Sequence, residues 1–245
     1  MDPQAKTKSN EIYFKIIASI KAGKLLLPET DLYRLLKEAR DIPLEHESLS
    51  IQGLIYIVWG KIDEGISLCE KSISLDPFSP ASWINYALAI GQKGFYQKQM
   101  DILRRSIEFE SPISLKITLD MALFWADIPL IINSLSLIKK LNVETKDEER
   151  ALSMASLYVH DENLAKDITN LARCVMEIAD ELKLKKNYSY VDHDMDDNYC
   201  FVYQVDGATP NELVRLNNIL AQKIVDKGLA GSDAIAIFER GEHVN

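Results

Sequence analysis

Asp192-His193-Asp194-Met195-Asp196-Asp197-Asn198 is the densest run of candidate ligands in the chain, and clustered carboxylate oxygens can hold a hard cation such as calcium or magnesium. The run has no glycine at the sixth loop position, and its twelfth position is Tyr203 rather than glutamate. It therefore reads as a solvated acidic turn, with Asp192, Asp194, Asp196 and Asp197 offered to a basic partner and no metal bound. His46, His160, His193 and His243 stand apart from any Cys or His at ligand spacing. Cys69, Cys174 and Cys200 are odd in number and widely spaced, which suits reduced, buried thiols better than disulfides or a zinc site. The glycines at 53 and 60 enclose Leu-Ile-Tyr-Ile-Val-Trp, a helix core and not a phosphate cradle. With no catalytic constellation in view, the sequence points to a non-enzymatic chain without a cofactor.

Charge narrows the partners. Lys and Arg number 28 against 37 Asp and Glu, a net charge of -9 that repels phosphate backbones and anionic headgroups and favours basic partners. Nucleic acid and membrane are thus disfavoured. The N-terminal apolar run, Ile16 to Ile20, is shorter than the core of a secretory signal, and no stretch approaches the roughly 20 apolar residues of a membrane span. A soluble, cytoplasmic protein is expected.

The elements that would carry such a function show a period. A shift of 34 residues superimposes Leu49 on Trp83, Gly53 on Ala87, Tyr56 on Ile90, Gly60 on Gly94, Cys69 on Leu103 and Leu75 on Phe109. Each unit reads as an apolar-periodic helix, a glycine, and a second apolar-periodic helix, with Pro77 separating the two units. Leu49, Gly53, Tyr56, Gly65, Cys69 and Pro77, then Trp83, Ala87, Ile90 and Leu103, resemble the tetratricopeptide repeat (TPR) family over about residues 46–112. The second unit departs from the pattern at Gln99, where a small residue is expected, and at Ser111, with Pro112 displaced by one.

The resemblance implies a mainly α fold, a right-handed α-solenoid of antiparallel hairpins. Residues 10–22 with 29–40, 112–126 with 129–141, and 148–159 with 162–184 supply flanking pairs. In such proteins the first helices of successive repeats line a concave groove. By position these residues are Glu47, Ser50, Leu54, Ile57 and Val58, then Ala81, Ile84, Asn85, Leu88 and Gln92. Glu47 and Ile51 replace basic residues that some family members use to grip a terminal carboxylate, so an amphipathic helix or apolar segment is the expected ligand.

From about residue 187 the periodicity becomes alternating, and strand, strand, helix, strand follow, with Thr209-Pro210-Asn211-Glu212 a capping box. A right-handed crossover would set the third strand parallel to the second, and an open sheet edge could accept a partner strand. The division expected is a repeat domain over 1–185 and a small α/β module over 186–245. That module carries five Lys and Arg against ten Asp and Glu. The leading expectation is a protein-interaction adaptor that binds a partner in the groove; a homo-oligomer is compatible with it. The rivals are a dedicated inhibitor, chaperone or immunity protein for one basic partner, and a metal-dependent enzyme using residues 192–198.

Overall fold

The computed structural model describes residues 7–193 and 198–241. It is mainly helical, with one three-stranded sheet near the C-terminus. Among the described residues no helix is long and apolar enough to cross a membrane. The chain divides into two compact units, Met1–Ser114 and Leu115–Asn245.

The first unit contains α1 (Lys8–Lys21), α2 (Glu29–Arg40), α3 (Glu45–Trp59), α4 (Ile62–Leu75), α5 (Pro80–Gln92) and α6 (Tyr96–Ser106), followed by a 3-10 turn over Ile107–Phe109. Helices α3 and α4 form one hairpin, α5 and α6 a second, and α5 packs on both helices of the first. The two hairpins close in the same way. Gly60 (φ 94°) and Gly94 (φ 77°) are left-handed, where a side chain would be strained. In the first, Gly60 N donates to Ile57 O and Lys61 N to Tyr56 O; in the second, Gly94 N donates to Gly91 O and Phe95 N to Ile90 O.

The departure at Gln99 has a steric explanation. In the first hairpin the helices cross at Gly53 and Gly65, where a Cβ on Gly65 would stand 2.6 Å from Ile57 Cγ1 and 2.8 Å from Gly53 O. Thirty-four residues on, Gly65 becomes Gln99 and Ile57 becomes Gly91. A Cβ on Gly91 would stand 2.4 Å from the Gln99 amide group. Large and small have changed places across one interface, so the space filled between the helices is conserved while the residues are not.

Glu70 ties the hairpins together. Its carboxylate accepts from Arg105 at 3.1 and 2.9 Å, from the Tyr86 hydroxyl at 3.1 Å and from Lys98 at 3.1 Å, so α4 holds both α5 and α6. Burial alone would raise the Glu70 pKa, but the Arg105 and Lys98 hydrogen bonds outweigh it and hold the carboxyl below its usual range. On the other side, α1 lies against α2, α3 and α5. Ser9 donates to Glu47 Oε2 at 2.6 Å near the start of α3, and a Cβ on Gly23 would meet Gln92 O at 2.2 Å at the end of α5. Its buried Ile12, Ile16 and Ile20 recur every four residues, forming the stripe that α1 sets against these helices.

The second unit holds α7 (Pro112–Phe124, whose first residues belong to the other unit), α8 (Ile128–Lys140), α9 (Glu148–His160) and α10 (Glu162–Glu181). It continues with β1 (Tyr188–His193), β2 (Tyr199–Asp206), α11 (Pro210–Asp226) and β3 (Ala234–Gly241). The sheet order is β1-β2-β3, with β1 antiparallel and β3 parallel to β2. Thr209 and Glu212 make the reciprocal capping box at the start of α11. The expected boundary at 185/186 falls inside this unit, because α10 packs on β2, β3 and α11. Tyr203 shows why: its ring stacks on Trp125 at 5.5 Å and meets Phe238 edge-on at 5.7 Å, joining the sheet to the end of α7 in one core.

Candidate functional site

The groove residues implied by the resemblance separate into two sets. Leu54 and Ile57 are 0% exposed, Val58 2%, and Ser50 and Ile84 7%. Helix α3 is enclosed by α1, α2, α4 and α5, so these side chains belong to the core and cannot touch a ligand while the unit is closed. The sequence carried the signal: Leu54 to Trp59 has no polar face, the mark of a helix buried all round. The α5 row stays accessible, with Ala81 and Gln92 exposed and Asn85 and Leu88 half-buried. These four, at spacings of four, three and four, form one stripe along α5. Glu47 is half-buried, and one of its oxygens is engaged by Ser9.

A cleft that the sequence reading missed lies between the hairpins, with a volume of about 320 Å³ and walls that include Glu70, Trp83, Arg105, Glu108 and Phe109. The Arg105 guanidinium sits 5.2 Å from the Trp83 ring centroid while paired with Glu70, so its charge is already neutralised inside the unit. The 34-residue pairings of Leu49 with Trp83 and of Leu75 with Phe109 were the sequence's hints of aromatics here.

Titratable groups elsewhere are arranged as ties. His46 Nε2 lies 3.4 Å from Asp76 Oδ2, and Ser72 lies close by. Yet the Ser72 hydroxyl donates to the His46 backbone carbonyl at 2.7 Å and not to its ring, so the three form no proton relay. Burial raises the pKa of Cys69 and Cys174, keeping both as thiols and opposing nucleophilic use. Asp120 is raised by burial and then by a hydrogen bond with Asp147, against the pull of Lys146 and Lys186. Two clefts of the second unit, of about 310 and 370 Å³, have neither Asp120 nor Asp147 in their walls.

Of the acidic run, Asp192 is exposed at the end of β1, and Asp194, Asp196 and Asp197 lie outside the described residues. Among the described residues no group of three or more His, Cys, Asp and Glu is placed to hold a metal ion. The sheet edges are less open than expected. Asn217 of α11 donates to Phe238 O at 2.9 Å and accepts from Phe238 N at 2.8 Å, capping the centre of β3. Arg150 of α9 donates to Ser189 O at 3.3 Å on β1. Backbone groups so engaged are not offered to an incoming strand. Comparisons of this chain with protein-family models, with curated proteins and with solved structures find no match in any of the three.

Proposed function

We propose that the chain is a non-enzymatic protein-interaction module of TPR type. Its first unit presents the α5 stripe of Ala81, Asn85, Leu88 and Gln92 to a segment of another protein. Support for the repeat reading comes from the identical closure of the two hairpins and from the exchange of Ile57 and Gly65 for Gly91 and Gln99. The observation that carries the binding reading is the accessible α5 stripe, set against Ser50, Leu54, Ile57 and Val58 of α3, which are all core. A helix or extended segment laid along Asn85 and Leu88 would bury one apolar side chain flanked by amides. The experiment compares Leu88→Glu with wild type in quantitative capture from native lysate, with circular dichroism as the folding control. Loss of a protein from the Leu88→Glu capture supports the reading; unchanged capture refutes it.

A second reading, a dedicated inhibitor, chaperone or immunity protein for one basic partner, is favoured by how the module's cations are used. Lys223 pairs with Glu177 and Glu181, Lys227 with Glu177, and Lys186 lies 4.9 Å from the Phe124 ring centroid. Three of five cations from residue 186 onward are thus turned to the unit's own helices, while Asp192, Asp206 and Glu239 are exposed. Deleting residues 186–245 would open the core around Tyr203, so the clean test is Asp192→Asn with Asp206→Asn and Glu239→Gln. Undiminished capture of basic proteins by that triple variant contradicts the reading.

A further inference from the structure

The sheet has two unlike faces. Phe201, Tyr203, Ala234, Ala236 and Phe238 are buried on the face that α10 covers. The opposite face carries Tyr188, Tyr190, Cys200, Val202, Ile235 and Ile237, and no described helix lies across it. Tyr188 is 51% exposed, Ile235 40% and Ile237 37%. The Tyr190 hydroxyl donates to Glu239 Oε2 at 3.0 Å, so its ring reaches over β2 and shades Val202. Tyr188 lies beside it, ring centroids 5.7 Å apart. The apolar centre is therefore continuous from β1 to β3.

The rim decides what can cover this face. Strand residues alternate between faces, which puts Asp192, Asp206 and Glu239 on the outer one with the apolar residues. None of the eleven described strand residues on that face is Lys or Arg. A second copy of the chain would set acid against acid across the contact, and an anionic lipid surface would be repelled likewise. The dimensions suit a helix. Strands lie about 4.8 Å apart, and β2 and β3, eight residues long at about 3.3 Å per residue, give a strip near 25 Å long, the length of about 17 helical residues. On the inner face α10 already uses this packing.

We propose that the outer sheet face docks an amphipathic helix of a partner protein, its apolar stripe over Tyr188, Tyr190 and Ile237 and its Lys or Arg residues against Asp192, Asp206 and Glu239. The proposal rests on the basic-partner reading and adds the face, the shape and the pattern of what binds. It requires nothing of the α5 stripe.

The test uses the full chain and a fluorescently labelled 18-residue peptide of Leu and Lys, with leucines at i, i+3, i+4 and i+7. The controls are a peptide of the same composition with leucines scattered, and one with Glu in place of Lys. Fluorescence anisotropy should show the striped Lys peptide binding at least tenfold tighter than either control. Ile237→Lys, at a site open enough to keep the fold, should weaken it at least tenfold with an unchanged near-ultraviolet spectrum. Glu239→Gln, which keeps a partner for Tyr190, should weaken it about threefold at low salt and not at high salt. Equal binding of striped and scattered Lys peptides would overturn the docking face while leaving a charge-led basic partner. Absence of binding by all three would remove both. Full binding by Ile237→Lys, or sedimentation showing a dimer that Ile237→Lys abolishes, would also overturn the proposal.

Discussion

Replacing Gly91 by Ile and Gln99 by Gly transplants the first hairpin's interface into the second. Alone, Gly91→Ile drives a side chain into the Gln99 amide, since its Cβ would already stand 2.4 Å away. Overpacking of this kind costs about 1–3 kcal/mol, less about 0.5 kcal/mol gained in helix propensity. Alone, Gln99→Gly loses about 1 kcal/mol of propensity and leaves most of a side-chain volume empty. Against this it removes a buried amide oxygen, Gln99 Oε1, that has no hydrogen-bond partner. Each single variant should therefore fall by about 2 kcal/mol. In the double variant the isoleucine fills the space the amide left, as Ile57 does over Gly65, and the net change should be within about 1 kcal/mol of zero. The coupling is then about 3–5 kcal/mol in favour of the pair. Thermal unfolding followed by circular dichroism should show each single variant lower by about 4–8 °C and the double within about 4 °C of wild type. Additive losses in the double variant would refute the claim that the hairpins share one packing solution.

Asp120 makes a pH prediction. Its folded pKa is raised, so the folded state holds the proton more tightly than the unfolded state. The stability it contributes is complete below the ordinary Asp range near 3.9, and is lost as pH rises through the folded pKa. Asp120→Asn should match wild type in the acid range and exceed it at pH 7, and melting curves that stay parallel across pH would contradict this. Asn217→Ala should cost about 1–2 kcal/mol and produce concentration-dependent self-association by freeing the Phe238 backbone, a gain that light scattering would detect. Leu54→Ala should cost about 2–5 kcal/mol as a core truncation, read by chemical unfolding; a change below 0.5 kcal/mol would contradict the assignment of that α3 row to the core.

Local chemistry was legible in the sequence, and long-range choices were not. Glycine at 60 and 94, proline at 77 and 210 and the Thr209 capping box each act within a few residues, so their turns and starts could be read directly. The strands themselves, and the third running parallel to the second, followed from alternation and the crossover between them. By contrast, the isoleucine stripe of α1 showed that the helix buries a face but not that it lies on α3 and α5, because nothing local distinguishes one apolar surface from another. The same gap made Leu54, Ile57 and Val58 read as groove rather than core. Gln99 looked like a lapse in the pattern because its compensation, Gly91, lies eight residues away on the facing helix. The open sheet face was hidden for a related reason: Tyr188, Ile235 and Ile237 look like ordinary strand residues until the single covering helix is seen on the other side.

In the proposed function the accessible α5 stripe, and not the buried Ser50, Leu54, Ile57 and Val58 of α3, holds a partner. This is tested most directly by label-free quantitative capture from native lysate with wild type and Leu88→Glu as baits at matched folding. At least one protein should be depleted more than tenfold from the Leu88→Glu capture, with circular dichroism and melting temperature unchanged. Identical capture by both baits would contradict it.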